Sequence, residues 1–287
     1  MQINWRSAAM THQGLRREEN QDALVYSPEN KLFSVSDGMG GVSYGRKTAM
    51  IVSTMMTALA QRFAGWEGTS EALAQTIGAS ISSISDNIQQ LGNPVGRRPS
   101  YGATLTGFLL HDDDAVIFNV GDSRVYRLRG DSPLEPMTVD HSVVQILVEC
   151  GELTPEEART YPGRSTVTRF MGMHPTVMTD VKVEKILPGD IYLVCSDGLH
   201  SMVPDDGIRN ILKEDLSPEE ICAKLIDAAN AGGGTDNISV VVWQALVEKA
   251  APEKEAADPA PEKEGEKSAP AEEPAEPAGV DEENADG

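Results

Sequence analysis

The stretch Leu32-Phe33-Ser34-Val35-Ser36-Asp37-Gly38-Met39-Gly40-Gly41 decides the fold of this chain. It begins as an apolar run typical of a buried strand and ends in an aspartate among glycines, which is how a strand delivers a carboxylate at its end. Four further aspartate motifs accompany other predicted strands: Asn20-Gln21-Asp22, Gly121-Asp122-Ser123-Arg124, Ser196-Asp197-Gly198 and Gly234-Thr235-Asp236-Asn237. The sequence therefore predicts a sheet protein whose strand ends carry aspartates.

Aspartates gathered at strand ends would supply only oxygen ligands, which suit a hard divalent cation such as Mg²⁺ or Mn²⁺. The adjacent glycines would let the backbone approach the ion and add a carbonyl oxygen. Any one of these motifs, taken alone, is most often an ordinary turn. Five copies at strand ends, with arginines shortly before the first, favour the chemistry of metal-assisted phosphoryl hydrolysis.

The order of these motifs and the residues in them resemble those of a known family, the metal-dependent Ser/Thr protein phosphatases of type 2C, also called PPM. The resemblance covers roughly residues 5–245, and the Met-Gly-Gly wording is similar to the bacterial branch. It includes Arg17-Glu18-Glu19-Asn20-Gln21-Asp22, Val35-Ser36-Asp37-Gly38-Met39-Gly40-Gly41, Gly102-Ala103-Thr104-Leu105, Asn119-Val120-Gly121-Asp122-Ser123-Arg124, Asp140-His141-Ser142, Cys195-Ser196-Asp197-Gly198-Leu199 and Gly234-Thr235-Asp236-Asn237-Ile238-Ser239-Val240.

The hydrophobic spacing predicts groups of strands separated by paired helices, and hence an α+β layered domain. Strands are predicted at 3–11, 23–26, 32–36, 104–110, 115–120, 125–129, 191–195 and 238–246. Long helices are predicted over 45–63, 70–91, 205–213 and 217–231, with a loop over 92–100. Residues 141–180 are expected to form short helices and irregular chain, with a helix start at Leu153-Thr154-Pro155. The resemblance implies a four-layer α-β-β-α sandwich in which two antiparallel sheets are flanked by helix pairs.

The resemblance also implies roles for individual residues. Asp37 would bridge two Mn²⁺ or Mg²⁺ ions, with Gly38 offering its backbone carbonyl. Asp197 and Asp236 would complete the shell of the second ion, and Asp22 would hold coordinating waters. Arg17 matches the family's phosphate-binding arginine, since a guanidinium fork fits two phosphate oxygens. The alternative is that Arg17 is a surface arginine beside Arg16.

By the same resemblance, Asp122 would help Asp197 to hold a third, weaker metal ion. The alternative for Asp122 is a simple hairpin turn. Whether Ser165, in a variable flap, joins this third site stays open. His141 is predicted to be a structural hydrogen-bonding residue rather than a catalyst.

The chain departs from the family pattern at three positions. Gln21 stands where the family often has Glu, which removes one carboxylate near the metals. Met39 stands where animal members carry a histidine proposed as the general acid, and Val42 replaces a histidine common in bacterial members. We therefore expect the leaving group to take its proton from water rather than from a side chain, and the general acid stays unidentified.

Composition predicts one folded domain over residues 1–248, which the resemblance implies is the phosphatase domain, and a disordered acidic, Pro/Ala-rich tail over 249–287. Residues 251–287 contain 13 Asp and Glu, six Pro, nine Ala and no aromatic residue, too little apolar surface to offset the entropy of ordering. The chain has a net charge of −21, of which these residues carry −10. The acidic balance excludes the basic patch that nucleic acid or an anionic membrane requires.

Three widely spaced cysteines, Cys150, Cys195 and Cys222, exclude a disulfide framework and a zinc ribbon. The sequence shows no signal peptide, and no run reaches the ~20 apolar residues that span a bilayer. We therefore expect a cytoplasmic, monomeric protein.

The sequence predicts a protein serine/threonine phosphatase that uses a metal-bridged hydroxide on phosphoserine and phosphothreonine. Its expected partners are phosphorylated proteins and a cognate Ser/Thr kinase. One alternative is a catalytically weak relative that binds phosphoproteins as a regulatory module. Another is a stress-signalling phosphatase with one dedicated partner, although such proteins usually carry sensory domains.

Overall fold

The computed structural model describes residues 3–39, 44–92 and 102–247. Within them the strands are β1 (Trp5–His12), β2 (Asp22–Ser27), β3 (Leu32–Met39), β4 (Gly102–Ala103), β5 (Leu105–His111), β6 (Asp114–Val120), β7 (Arg124–Leu128), β8 (Glu135–Pro136), β9 (Asp180–Lys185), β10 (Ile191–Cys195) and β11 (Ile238–Ala245). The helices are α1 (Tyr44–Phe63), α2 (Ser70–Gly92), α3 (Val143–Glu149), α4 (Pro155–Thr160), α5 (Asp197–His200), α6 (Asp205–Leu212) and α7 (Pro218–Ala231).

The strands form two antiparallel sheets. One sheet has the order β1-β11-β10-β7-β8, and the other has the order β2-β3-β5-β6-β9 with β4 paired to the end of β3. Every residue of β11 is buried, as expected for the second strand of a sheet that is covered on both faces. The strands of the first sheet come from distant parts of the chain. Strand β1, for example, pairs with β11, more than 200 residues away in sequence.

The layer between the sheets is aromatic. Phe108 of the second sheet meets Tyr192 and Trp243 of the first, with ring centroids 5.4 and 6.2 Å apart, and Phe33 packs beside Phe108 at 5.3 Å. All four side chains are at most 1% exposed. Large buried rings supply much of the apolar area that drives two sheets together.

Helices cover both outer faces. On the second sheet, α1 and α2 pack through the apolar sides of Val52, Met56, Ile77 and Ile81. On the first sheet, α7 packs against β1 and β11, α5 packs against β10 and β11, and α6 packs beside α7. The start of α7 carries a capping box in which Ser217 and Glu220 satisfy each other's backbone N–H groups.

The predicted α-β-β-α sandwich and most of its elements are confirmed. Strand β9 was missed, because Val181 and Val183 alternate with charged residues on an edge strand and give too short an apolar pattern. The predicted strand over 104–110 is confirmed as β5 (Leu105–His111), and the short strand β4 (Gly102–Ala103) before it was not predicted. The helix start at Thr154 is confirmed and carries a capping box.

Residues 93–100 of the predicted loop, and the predicted tail, lie outside the described residues. In the described part of the chain, no helix combines the length and apolar character that crossing a membrane requires.

Candidate metal and phosphate site

The predicted aspartates come from both sheets and meet at one end of the sandwich. Pairing of β2 with β3 places Asp22 directly opposite Asp37. Asp197 begins α5 directly after β10, and Asp236 lies just before β11, which is the neighbour of β10. The charges of Asp22, Asp197 and Asp236 all act on Asp37. The residues that the sequence predicts as metal ligands are therefore neighbours in space.

Ser196 connects the two halves of this cluster. Its hydroxyl donates to Asp22 Oδ2 at 2.9 Å across 174 residues of sequence. The same Ser196 oxygen accepts from the backbone N–H of Ser239 at 2.9 Å. With Ser196 buried, this bridge fixes the Asp22 carboxylate relative to the strands that carry Asp197 and Asp236.

Asn237 holds the segment that carries Arg17. Its amide nitrogen donates to the carbonyls of Gln13 at 2.8 Å and Glu19 at 3.0 Å. Its side-chain oxygen accepts from the N–H of Gln21 at 2.8 Å. One buried side chain therefore satisfies three backbone groups of residues 13–21 and shapes that loop against the cluster.

Two glycines of the motifs are required by close packing of backbone. A Cβ atom on Gly38 would lie 2.3 Å from the carbonyl of Gly45 at the start of α1. A Cβ atom on Gly198 would lie 1.9 Å from the carbonyl oxygen of Asn237. Neither distance is compatible with a side chain, so both glycines set how tightly the loops close around the aspartates.

Asp122 is held by a separate set of bonds at the turn between β6 and β7. The Ser123 and Thr104 hydroxyls lie 2.9 Å apart, and Thr104 Oγ1 accepts from the N–H of Asp37 at 2.9 Å. His141 Nδ1 accepts from the N–H of Gly121 at 3.0 Å. His141 is thus a structural hydrogen-bonding residue, as predicted, and a chain of hydroxyls joins the Asp122 turn to Asp37.

The cluster strongly disfavours negative charge. Burial, and then the charge of Asp236, raise the pKa of Asp22 to about 6, against the lowering effect of the Ser239 and Ser196 hydrogen bonds. Burial followed by Asp140 raises the pKa of Asp122 to about 7. The pKa values of Asp37 and Asp197 are also well above the ordinary value, first through burial and then through neighbouring carboxylates.

The donor set fits a hard divalent cation. Asp22 Oδ1 and Asp197 Oδ1 are buried and accept no hydrogen bond from the residues described. A buried carboxylate oxygen without a donor is costly unless a cation neutralises it. Among residues 3–39, 44–92 and 102–247, no group of three or more Asp, Glu, His or Cys side chains is arranged so that it could hold a metal ion by itself, so the fit rests on the buried carboxylate oxygens that lack donors.

Arg17 lies at the rim of the cluster. Its Nη2 atom donates to Asp236 Oδ2 at 2.5 Å, and its side chain is half exposed. This pairing distinguishes Arg17 from an arginine that only faces solvent. It places a guanidinium beside the carboxylates and within reach of solvent, where a phosphate ester could be bound.

A cavity of about 580 Å³ adjoins the Asp122 side of the cluster. Its lining residues include Asp122, Asp197, His200, Arg164 and Ser165. Ser165 therefore faces the same space as the two carboxylates assigned to the third ion.

Two of the three departures from the family pattern fall on described residues. Met39 pairs with Gly102 at the end of β3, and a thioether cannot donate a proton. The Gln21 amide oxygen would lie 2.8 Å from a Cβ atom on Gly45, so this side chain packs against the first turn of α1. Gly40, Gly41 and Val42 lie outside the described residues.

Four residues whose hydrogen bonds organise the site have no role predicted from the sequence: Thr104, Ser196, His200 and Asn237. Three of them stand inside the quoted motifs, so their positions were visible but their partners were not. His200 follows Asp197 by three residues. Its place near the cluster could have been found only by predicting the short helix α5.

Comparison with known proteins agrees with this geometry. A model of the protein phosphatase 2C family matches residues 12–227. The serine/threonine protein phosphatase PstP of Mycobacterium tuberculosis is 35% identical over 239 residues, which cover 83% of this chain and 44% of that protein. Protein phosphatase PhpP of Streptococcus pneumoniae is 30% identical over 240 residues, covering 81% of this chain and 94% of that protein.

The chain therefore spans less than half of the Mycobacterium tuberculosis relative and nearly all of the Streptococcus pneumoniae one. Among solved structures, the catalytic domain of PstP in complex with two manganese ions is 31% identical with a TM-score of 0.69. That match covers 85% of this chain and 99% of the other. The serine/threonine phosphatase of S. agalactiae is 30% identical with a TM-score of 0.74, over 84% of this chain and 100% of the other.

Proposed function

We propose, since this chain belongs to the bacterial branch of the protein phosphatase 2C family, that it hydrolyses phosphoserine and phosphothreonine in proteins. One observation carries the proposal: aspartates from both sheets meet beside an arginine, with buried carboxylate oxygens that lack donors. Cations would neutralise these oxygens, and the arginine would bind the anionic substrate.

The family is metal-dependent, and a relative has been solved with two manganese ions. Asp37 would serve both of two Mn²⁺ or Mg²⁺ ions, and Asp197 and Asp236 would help to hold the second. Gly38 would add its carbonyl, and Asp22 would hold coordinating waters. Asp122 and Asp197 would hold a third, weaker ion. When bound, such ions would activate the attacking water and offset the charge on the phosphoryl oxygens.

Arg17 would bind and orient the phosphate. In this structure its guanidinium donates to the Asp236 carboxylate. With Asp236 holding a cation, the fork of Arg17 would be available for two phosphate oxygens. The oxygen of the attacking water then forms the new bond to phosphorus as the bond to the serine or threonine oxygen breaks, without a covalent phosphoenzyme.

The leaving oxygen must still gain a proton. Met39 cannot supply it, and both nearby histidines are engaged by backbone groups. Burial lowers the pKa of His200 to about 3, so its imidazole is neutral at physiological pH. Water in the site is the donor that remains.

The substrates we propose are phosphorylated proteins, made by a cognate Ser/Thr kinase whose output this protein reverses. We further propose that it acts as a monomer in the cytoplasm. The alternative, a module that binds phosphoproteins with little turnover, would require loss of the metal aspartates, and Asp22, Asp37, Asp197 and Asp236 are all present.

The test is turnover of a phosphothreonine peptide with Mn²⁺, with Mg²⁺ and with EDTA. We expect turnover with either ion and none with EDTA. Asp37→Asn should lose several orders of magnitude in turnover, whereas the control Asp112→Asn, in an exposed turn, should match the natural chain. Full turnover in EDTA would refute the proposal, and tight peptide binding without turnover would favour the binding module.

A further inference from the structure

The Gly121-Asp122 turn is hydrogen-bonded at both ends by histidines. His141 exchanges two bonds with Gly121: its backbone N–H donates to the Gly121 carbonyl at 2.9 Å, and its Nδ1 accepts from the Gly121 N–H at 3.0 Å. At the other end, His200 Nε2 lies 3.0 Å from the carbonyl oxygen of Asp122. A carbonyl only accepts, so Nε2 carries the proton and donates it.

His200 also belongs to the part of the chain that carries Asp197. Helix α5 has four residues, with Asp197 at its first position and His200 at its last. The carbonyl of His200 accepts from Arg159 Nη2 of α4 at 3.2 Å. The His200 side chain is buried and is one of the residues that line the cavity. A single residue therefore joins the Asp122 turn, the Asp197 helix and helix α4.

We propose that His200 is a positioning residue that fixes Asp122 relative to Asp197 and thereby sets the affinity of the weaker cation site between these two carboxylates. The inference rests on the function proposed above. His200 would not itself be a ligand of the third ion; it would hold the ligand Asp122 in place.

The physical reason is the geometric tolerance of a metal site. Ligands must stay within about 0.5 Å of their productive positions, which requires locked supporting contacts. Without the His200 donor, the Asp122 carbonyl would be buried without a partner and the turn would shift to satisfy it. The tight pair would be spared, because Asp37 and Asp22 are held by Thr104 and Ser196.

The experiment compares His200→Met, which fills the space without a donor, with His200→Gln, whose amide nitrogen can reach the position of Nε2. Mn²⁺ binding is measured on the full chain by calorimetry and by the EPR signal of free Mn²⁺, and the melting temperature is recorded in parallel. The exposed neighbour variant Ser201→Ala is the control.

We expect His200→Met to keep two tight ions and to weaken the third about three- to tenfold, the effect of one lost hydrogen bond. His200→Gln should restore the third affinity to within about twofold, and Ser201→Ala should match the natural chain. The Mn²⁺ concentration for half-maximal turnover should rise in His200→Met in parallel with the third dissociation constant.

A folded His200→Met with an unchanged third affinity, or with an equal loss at all three sites, would overturn the inference. So would a folded His200→Gln that fails to restore binding. If His200→Met does not fold, His200→Asn replaces it, because its shorter amide cannot reach the Asp122 carbonyl. A natural chain that binds no Mn²⁺ would overturn the proposed function itself, which separates that failure from failure of the His200 inference alone.

Discussion

Replacing Asp122 with asparagine tests whether the aspartate cluster opposes folding in the absence of cations. The pKa of Asp122 rises from 3.8 to about 7 in the folded chain, first because of burial and then because of Asp140. The folded state therefore binds this proton more tightly than the unfolded state does. Its contribution to stability is fully present below about pH 4 and is lost as the pH rises through about 7.

The magnitude follows from the two pKa values. At about 1.36 kcal/mol per pH unit, keeping Asp122 ionised and buried costs about 4 kcal/mol at pH 7. At pH 5 Asp122 is protonated in the folded chain, so the cost is only that of protonating a group whose ordinary pKa is 3.8, about 2 kcal/mol. Asp122→Asn carries no charge, so in EDTA it should be more stable than the natural chain by up to these amounts. Both are upper values, since neighbouring carboxylates share the same protons.

The assay is urea denaturation in EDTA at pH 5 and pH 7, followed by tryptophan fluorescence. Asp112→Asn is the matched control, because Asp112 is exposed in a turn with φ of +51°, a conformation that asparagine tolerates. Saturating Mn²⁺ should shrink or reverse the difference, since the ion stabilises only a chain that keeps its ligand. Superimposable curves for Asp122→Asn and the natural chain, or a gap that widens toward pH 5, would refute the reasoning.

Three further predictions concern Arg17, Gly198 and the C-terminal segment. Arg17→Ala should raise KM for a phosphothreonine peptide about tenfold or more, the effect of a lost charge-assisted pair, and Arg16→Ala should not; equal kinetics in both variants would remove the arginine from phosphate binding. Gly198→Ala should lower the melting temperature and abolish turnover, because its Cβ atom would lie 1.9 Å from a backbone oxygen, whereas Gly130→Ala, which meets no atom within 4 Å but has φ of +56°, should cost only about 1 kcal/mol. Deletion of residues 249–287 should leave the melting temperature and peptide turnover unchanged, because that composition cannot pack, and a loss of several degrees would show that it can.

The sequence predicted the elements of this fold where the periodic pattern is long. Helices α1, α2 and α7 each repeat an apolar face over several turns, and β11 contains the apolar run Val240-Val241-Val242-Trp243, so their types were predictable. Strand β9 and helix α5 were not, because six residues of an edge strand and four residues of one helical turn carry too little pattern. The resemblance to a family, rather than periodicity, supplied the number and order of layers.

The candidate site divides in the same way. The aspartates and the glycines beside them were recognisable, because the chemistry requires carboxylates at strand ends and backbone without side chains. The structure brings Asp22, Asp37, Asp122, Asp197 and Asp236 together with Arg17, although their roles toward a cation remain proposals. The residues that hold them were not recognisable, since serine, asparagine and histidine are common in loops and show no pattern of their own.

The residue types that carry the chemistry and the segments that are buried could therefore be read from the amino-acid sequence, because both are local properties of side chains. The hydrogen-bond partners of the site residues became apparent only in the folded chain. Ser196 reaches Asp22 across 174 residues, and His200 reaches the carbonyl of Asp122 across 78. Such bonds depend on the register of strands in two different sheets, and register is settled by packing of the whole aromatic layer between them rather than by any one segment.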